Sequence, residues 1–377
     1  MKILQKQDLH DILYGAAILG TGGGGSLTDG LRLIDTALSL GKKFCLVDFD
    51  EVPDDAWIAV PYTCGSISPP NPESDVQYSK LPRLSEPQPF LAFKALEEFF
   101  GQDLYGVIST ELGGGNTAQA FYVAALLGKY ILDADAAGRA VPELIHSTFC
   151  IYDVPIYPIA VANQFGDVAI FPRVVNDQRA ESLVRALAVV SKNTIGVVDH
   201  PVQANVMRNV VIKGAISRAW EIGKAYRESL ARGEVASTAI ARDCDGFFLF
   251  KGEVTRSQYE TCEGFTVGTT EIQGEGEFSG QTYRVWYKNE NLISWRNDVV
   301  DVTTPDLICV FNDETNLTNQ NPHTSPGQKV SVIGMAAPAE WRLPKGLDLL
   351  GPQHFGFNFC YVPIEKKVHP IREREHG

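Results

Sequence analysis

Apolar residues recur along this chain with two different periods, and the balance between them shifts near the middle. Leu9, Ile12, Leu13, Ala16 and Ala17 fall on one face of a helix over 8–19. A glycine-rich run, 20–25, separates it from a second helical stripe of Leu31, Ile34, Ala37 and Leu38, which Ser26 is placed to cap and Gly41 to end. Short apolar runs at 44–47 and 57–60 read as strands. Six prolines between 65 and 89 mark a long, stiff, polar loop, after which a helix is expected over 90–100. The most coherent stretch runs from Leu104 to Asp135: a short apolar run, a glycine turn, an apolar helix and a second short apolar run. That is a strand–helix–strand unit, which places its strands parallel with a right-handed crossover. Further strands are expected at 149–154, 157–162 and 168–171.

Beyond Pro172 two helices come first, 178–190 and a long one near 203–232 carrying Val206, Val210, Val211, Ala215, Ala219, Ile222 and Tyr226. From Gly246 the pattern is β, with runs at 247–250, 265–272, 282–287, 292–295, 307–311 and 329–333 separated by Gly, Asn and Asp at hairpin spacing. The expected architecture is an α/β domain over 1–172, three-layered with a mainly parallel sheet. A β-rich domain over 173–377 follows, an antiparallel sheet or barrel with helices.

Composition narrows the function classes. A formal net charge of −13 argues against a nucleic-acid or anionic-membrane surface. No apolar run approaches the roughly 20 residues of a membrane span, and the N-terminus lacks the apolar stretch of a signal peptide, so the expected location is the cytoplasm. The seven cysteines are scattered and form no Cys-x-x-Cys pair, which disfavours a disulfide framework or a thiolate zinc knuckle.

Candidate chemistry gathers at the glycine turns. Gly20, Gly22 and Gly25 spell a formal Gly-x-Gly-x-x-Gly, but the segment before them is more helical than extended in pattern and the nearest suitable acid, Asp48, comes late, which disfavours dinucleotide binding. No Gly-Lys-Ser/Thr follows either, which excludes a Walker loop. What is left is a turn into a helix N-terminus, where Gly22, Gly23 and Gly24 can offer backbone N–H groups to a substrate carbonyl or carboxylate, or serve as a tight helix connection. In Glu111-Leu-Gly-Gly-Gly-Asn116, Gly113, Gly114 and Gly115 allow close approach to a ligand and Asn116 can cap the next helix. Glu111 stands at the carboxyl edge of a strand, where open α/β sheets bind ligands. It can act as general base, metal ligand or acceptor for a substrate N–H, or be merely a solvated turn acid.

Asp133 and Asp135 share a face if the segment is a strand. With Arg139 nearby they can divide acid and base roles, hold a hard divalent cation, or form a structural Asp–Arg pair. Cys64 follows the strand at 57–60 and reaches the same rim. A reactive thiolate would need a base such as His146 or His200 beside it, and the plain reading is an inert buried thiol. His323 and His354 stand alone. Asn289-Glu-Asn291 most simply turns a hairpin, and can otherwise present polar groups at the domain junction.

Three N-terminal segments resemble the S-methyl thiohydantoin desulfurase-like family: 15–25, Glu-Leu-Gly-Gly-Gly-Asn at 111–116 and Asp-Ala-Asp-Ala-Ala-Gly-Arg-Ala-Val-Pro-Glu-Leu at 133–144. Asn-Glu-Asn-Leu at 289–292, Pro-Asp-Leu-Ile at 305–308 and Gly-Pro-Gln-His-Phe-Gly-Phe at 351–357 extend the resemblance over nearly the whole chain. The resemblance implies an N-terminal three-layer α/β domain, a β-rich C-terminal domain, and association with hydantoinase/oxoprolinase-type subunits. The functional expectation is a hydrolase acting on a small cyclic amide, imide or thioamide. Catalysis is assigned to Glu111, Asp133 and Asp135, and substrate contact to the two glycine turns, Asn116, Arg139 and Cys64. A divalent metal ion is the cofactor to test, and a second copy of the chain or a hydantoinase-like subunit the partner. The alternative is a non-catalytic partner of such an enzyme.

Overall fold

A computed structural model describes residues 1–65, 78–262 and 264–368. Prolines 69, 70 and 72 of the proline-rich loop, and the charged C-terminal tail, lie outside the described residues. The first sheet contains β1 (Lys2–Leu4), β2 (Phe44–Val47), β3 (Trp57–Gly65), β4 (Gly106–Ser109), β5 (Tyr130–Asp135), β6 (Ile159–Ala162), β7 (Val168–Phe171), β8 (Thr194–Gln203) and β9 (Ile212–Lys213). Its order is β1-β2-β5-β4-β3-β8-β6-β7, with β9 beside β5. The centre, β2-β5-β4-β3, is parallel. β1, β8, β6, β7 and β9 are added antiparallel. The expected crossover from Gly106–Ser109 through helix Asn116–Leu127 to Tyr130–Asp135 is present, so the carboxyl ends of β3, β4 and β5 open onto one rim.

The second sheet is antiparallel throughout, in the order β14-β13-β12-β11-β10-β17-β15-β16. Its strands are β10 (Phe247–Cys262), β11 (Phe265–Gly274), β12 (Thr282–Lys288), β13 (Glu290–Arg296), β14 (Val299–Thr303), β15 (Leu307–Asn312), β16 (Leu317–Thr318) and β17 (Lys329–Met335). The α/β plus antiparallel-β architecture is therefore the one expected. The division at residue 172 does not coincide with the sheet's edge, because β8 and β9 come from beyond it.

Two elements differ from expectation. Residues 149–154 are not a strand: Ser147 accepts the Cys150 N–H and caps a one-turn helix, Thr148–Ile151. Nor is 203–232 one helix. A short turn, Ala204–Met207, leads to β9, and the long helix, Ala215–Ala231, begins only after Gly214 at φ 74°. The apolar residues on the two sides of this break serve different cores. Met207, Val210 and Val211 pack on one face of the first sheet, while Ala215, Ala219, Ile222 and Tyr226 pack on the other.

That second core also takes in Leu307, Cys309, Phe311, Ile333 and Met335 of the second sheet. One helical layer is thus shared by both sheets. Its central pair, Lys6–Leu19 and Ala215–Ala231, crosses so closely that a Cβ on Gly15 would lie 1.7 Å from the Ala219 carbonyl oxygen, and one on Gly223 1.7 Å from that of Asp11. Only glycine fits at that crossing. The shared layer fixes the second sheet against the carboxyl rim of the first.

Candidate active site

The two glycine turns meet each other directly. The carbonyl oxygen of Gly24 accepts N–H bonds from Gly115 (3.0 Å) and Asn116 (3.1 Å). A Cβ on Gly113 would lie 2.3 Å from Gly24 Cα, and one on Gly114 2.7 Å from Leu27 Cα. Gly24 itself sits at φ 77°, a left-handed conformation that L side chains resist. The Gly113 N–H donates to Thr117 Oγ1 (3.1 Å) and the Gly23 N–H to the Gly20 carbonyl (2.8 Å). The N–H groups of Gly23, Gly113 and Gly115 are therefore spent within the junction, and Gly24, Gly113 and Gly114 are glycines because the two chains touch.

This junction forms one wall of a cavity of about 600 Å³. Of the residues singled out from sequence, Gly22, Gly23, Gly24, Glu111, Gly115, Asn116 and Cys64 line it. Gly113 and Gly114 lie behind the wall, while Asp133, Asp135 and Arg139 stand away from it.

Glu111 follows directly on β4, where Ser109 Oγ donates to its backbone oxygen (2.7 Å). Its carboxylate accepts Asn116 Nδ2 (2.5 Å) on one oxygen and the Val141 N–H (2.6 Å) on the other. Burial raises its pKa to about 7, against the lowering effect of those donors and of Arg139. Opposite stands a residue that the site assignment from sequence left out, Glu290. It is 3 % exposed, and a Cβ on Gly23 would lie 1.8 Å from its Oε1. Its Oε2 has no hydrogen-bond partner among the described residues. Burial first, and the neighbouring Glu111 second, hold its pKa well above the ordinary carboxyl range. The only sequence signal was an acid between two asparagines at a hairpin. The Asn291 N–H donates to the Thr21 carbonyl (2.7 Å) and Asn321 Nδ2 to the Asn289 carbonyl (2.8 Å), which ties that hairpin to the first glycine turn.

The expected Asp–Asp–Arg group is dispersed. Asp133 accepts the Ser217 N–H (2.9 Å) and Ser217 Oγ–H (2.5 Å), and so caps helix Ala215–Ala231. Asp135, fully buried, accepts the N–H groups of Ala137 (2.7 Å) and Gly138 (2.5 Å) in its own loop. Burial pushes its pKa up to about 7. Arg139 binds neither of them. Its guanidinium donates to Thr21 Oγ1 and to the carbonyls of Ala140, Asn291, Pro305 and Asp306, bolting the first glycine turn to the second sheet. Burial brings its pKa down to about 10, so it stays charged at neutral pH. In place of the catalytic roles expected of Asp133 and Asp135 and the substrate contact expected of Arg139, all three make structural bonds and none lines the cavity.

Cys64 has no histidine within hydrogen-bonding reach among the described residues; its sulfur faces the Gly65 carbonyl at 3.9 Å. Burial raises its pKa to about 11, so the group is a thiol at neutral pH. His200 is committed elsewhere, with Nδ1 2.8 Å from Asp199 Oδ1 and its ring stacked on Phe149.

Two family models match this chain: "S-Me-THD-like, N-terminal domain" over residues 7–173 and "S-Me-THD-like, C-terminal domain" over residues 175–364. The chain belongs to the S-methyl thiohydantoin desulfurase-like family. No curated protein matches it. A crystal structure of a protein from Chromobacterium violaceum matches with TM-score 0.75 at 24 % identity, covering 97 % of this chain and all of its own, which shows a common fold.

In this S-Me-THD-like chain one further cluster bears on metal binding. Glu143, His146 and His354 bring three ligand-type atoms within 4.8 Å of one another. The Glu143 N–H donates to His146 Nδ1 (3.1 Å), and His146 Nε2 faces His354 Nε2 at 3.2 Å. Burial depresses the pKa of both rings, that of His146 strongly. Glu143 is paired with Lys288. The arrangement fits a neutral histidine pair that docks the segment Pro352–Phe355 on the loop after Val141.

Proposed function

We propose that this chain is a hydrolase acting on a small cyclic amide, imide or thioamide, of hydantoin or thiohydantoin type. The observation that supports this most is the pair of buried carboxyl groups, Glu111 and Glu290, facing one cavity where the two sheets meet. Two carboxyls that cannot both ionise divide into a base and an acid. Glu111, with a pKa near 7, is the base. It takes a proton from water as the water oxygen bonds to the ring carbonyl or thiocarbonyl carbon. Glu290, protonated, donates to the carbonyl oxygen or thiocarbonyl sulfur as water adds. On collapse Glu290 takes back the proton of a hydroxyl group and Glu111 gives its proton to the departing nitrogen or sulfur as that atom's bond to carbon breaks, which returns the pair to its starting state with one proton. Cys64 takes no part in this scheme, since no base activates it.

The test is turnover of hydantoins, S-methyl thiohydantoins and cyclic thioamides by the purified chain and by Glu111→Gln and Glu290→Gln. Loss of a general acid or base costs on the order of 10²–10⁴ in rate. Undiminished turnover in both variants would remove the carboxyl pair from the mechanism.

A further inference from the structure

Among the described residues the cavity is lined by the acids Asp29, Glu111, Glu143 and Glu290 and by one Arg or Lys, Arg185, with Lys288 paired to the lining Glu143. Neither is free to receive an anion. Arg185 directs Nε to Glu181 Oε1 (2.8 Å), Nη1 to the Gly65 carbonyl (3.1 Å) and Nη2 to the Pro142 carbonyl (3.4 Å), and its guanidinium lies 4.4 Å over the Phe265 ring. Lys288 is bound to Glu143, and its Nζ lies 4.1 Å from the centroid of the same Phe265 ring. The third cation at the junction, Arg139, is consumed by Thr21 and four carbonyls behind the wall.

Several backbone donors at the glycine turns are engaged as well, and the Gly24 N–H is a partner of the Glu290 carboxyl. A glycine turn at a helix start is an anion seat when its N–H groups point outward. Here the N–H groups of Gly115 and Asn116 are closed onto Gly24, that of Gly113 onto Thr117 and that of Gly23 onto Gly20.

Resting on the reading of this cavity as a cyclic-amide site, we infer that it selects rings without negative charge and rejects those bearing a carboxylate. A substrate carboxylate would meet lining acids and committed cations. A neutral ring instead finds an acceptor in Glu111 for its N–H and a donor in Glu290 for its carbonyl or thiocarbonyl. Cyclic amides with a free acid group, such as 5-oxoproline, fall outside the class, and their uncharged amides fall within it.

Calorimetric titration at pH 8 with two matched pairs tests this: hydantoin-5-acetamide against hydantoin-5-acetic acid, and 5-oxoprolinamide against 5-oxoproline. Within each pair only the charge changes appreciably. The amide member should bind at least tenfold more tightly, and Glu111→Gln should narrow that gap by relieving the repulsion. A carboxylate member that binds as tightly as its amide overturns the inference and leaves the hydrolase reading standing. Binding of the amides without turnover does the reverse. If no member of either pair binds, the cavity is not a cyclic-amide site and both fall. A gap that Glu111→Gln leaves unchanged overturns the electrostatic cause.

Discussion

Replacing Glu111 by Gln should make the protein more stable above neutral pH while making it less active. The side chain is almost fully buried, and its pKa stands at about 7 in the fold against an ordinary 4.5. Below pH 4.5 the group is protonated in both folded and unfolded chains. As the pH rises from 4.5 through about 7, the unfolded chain releases the proton first and therefore binds fewer protons. Stability that is fully present below 4.5 is lost across that window. At roughly 1.4 kcal/mol per pH unit, the loss is on the order of 3 kcal/mol. The amide cannot ionise. It keeps an oxygen for the Val141 N–H, and Asn116 can turn its own amide to accept from the new NH₂ group. Urea unfolding of both proteins between pH 4.5 and 9 is the assay. The variant should gain about 2–3 kcal/mol over the parent at the alkaline end and little at the acid end. Removing the Glu111 charge also relieves Glu290, which acts in the same direction. Parallel pH profiles for the two proteins would refute the reasoning, because they would mean that Glu111 ionises in the fold as it does in the open chain.

Gly113→Ala puts a Cβ 2.3 Å from Gly24 backbone atoms, which cannot yield as a side chain can; a loss of about 1–3 kcal/mol or more in denaturant unfolding is expected. Asp133→Ala removes the cap on helix Ala215–Ala231 and should cost about 1 kcal/mol with no change in kcat/KM, whereas a fall in kcat/KM at unchanged KM would return Asp133 to the chemistry. His146 is held neutral by burial, its pKa well below 6.5, so below pH 6.5 the unfolded chain binds the extra proton and stability is lost as pH falls towards the folded value. His146→Met, close in volume and unable to titrate, should flatten that acid-side loss in unfolding midpoints measured from pH 7.5 to 5, and an unchanged slope would mean that the histidine pair is not its cause.

The strand–helix–strand unit at 104–135 was legible because three local signals agreed: an apolar run, a glycine turn and a helix with Asn116 at its start. Its strands are parallel and Glu111 does stand at their carboxyl edge. The long helix near 203–232 was misread for the opposite reason. Its apolar stripe is continuous in sequence, but Val210 and Ala215 face opposite sides of a sheet, and periodicity carries no information about which core a residue enters. The strand expected at 149–154 failed because a Ser147 cap outweighs a short apolar run.

The acids teach the same lesson at the level of the site. Asp133 and Asp135 looked like a catalytic pair because they are two residues apart, yet one carboxylate is spent on a helix N-terminus and the other on its own loop. Glu290 looked like a hairpin residue because its partner, Glu111, is far away in the chain. The sequence by itself determined the two-part α/β and β architecture, the carboxyl-edge position of Glu111 and the need for two glycine turns. These follow from local propensity, hydrophobic period and backbone sterics. Only the tertiary structure decided which acids share a cavity, where Arg139 points and why the glycines are glycines. The physical reason is that burial, hydrogen-bond satisfaction and charge coupling depend on what packs across from a residue, and the shared helical layer brings the Glu290 hairpin of the second sheet against the rim of the first.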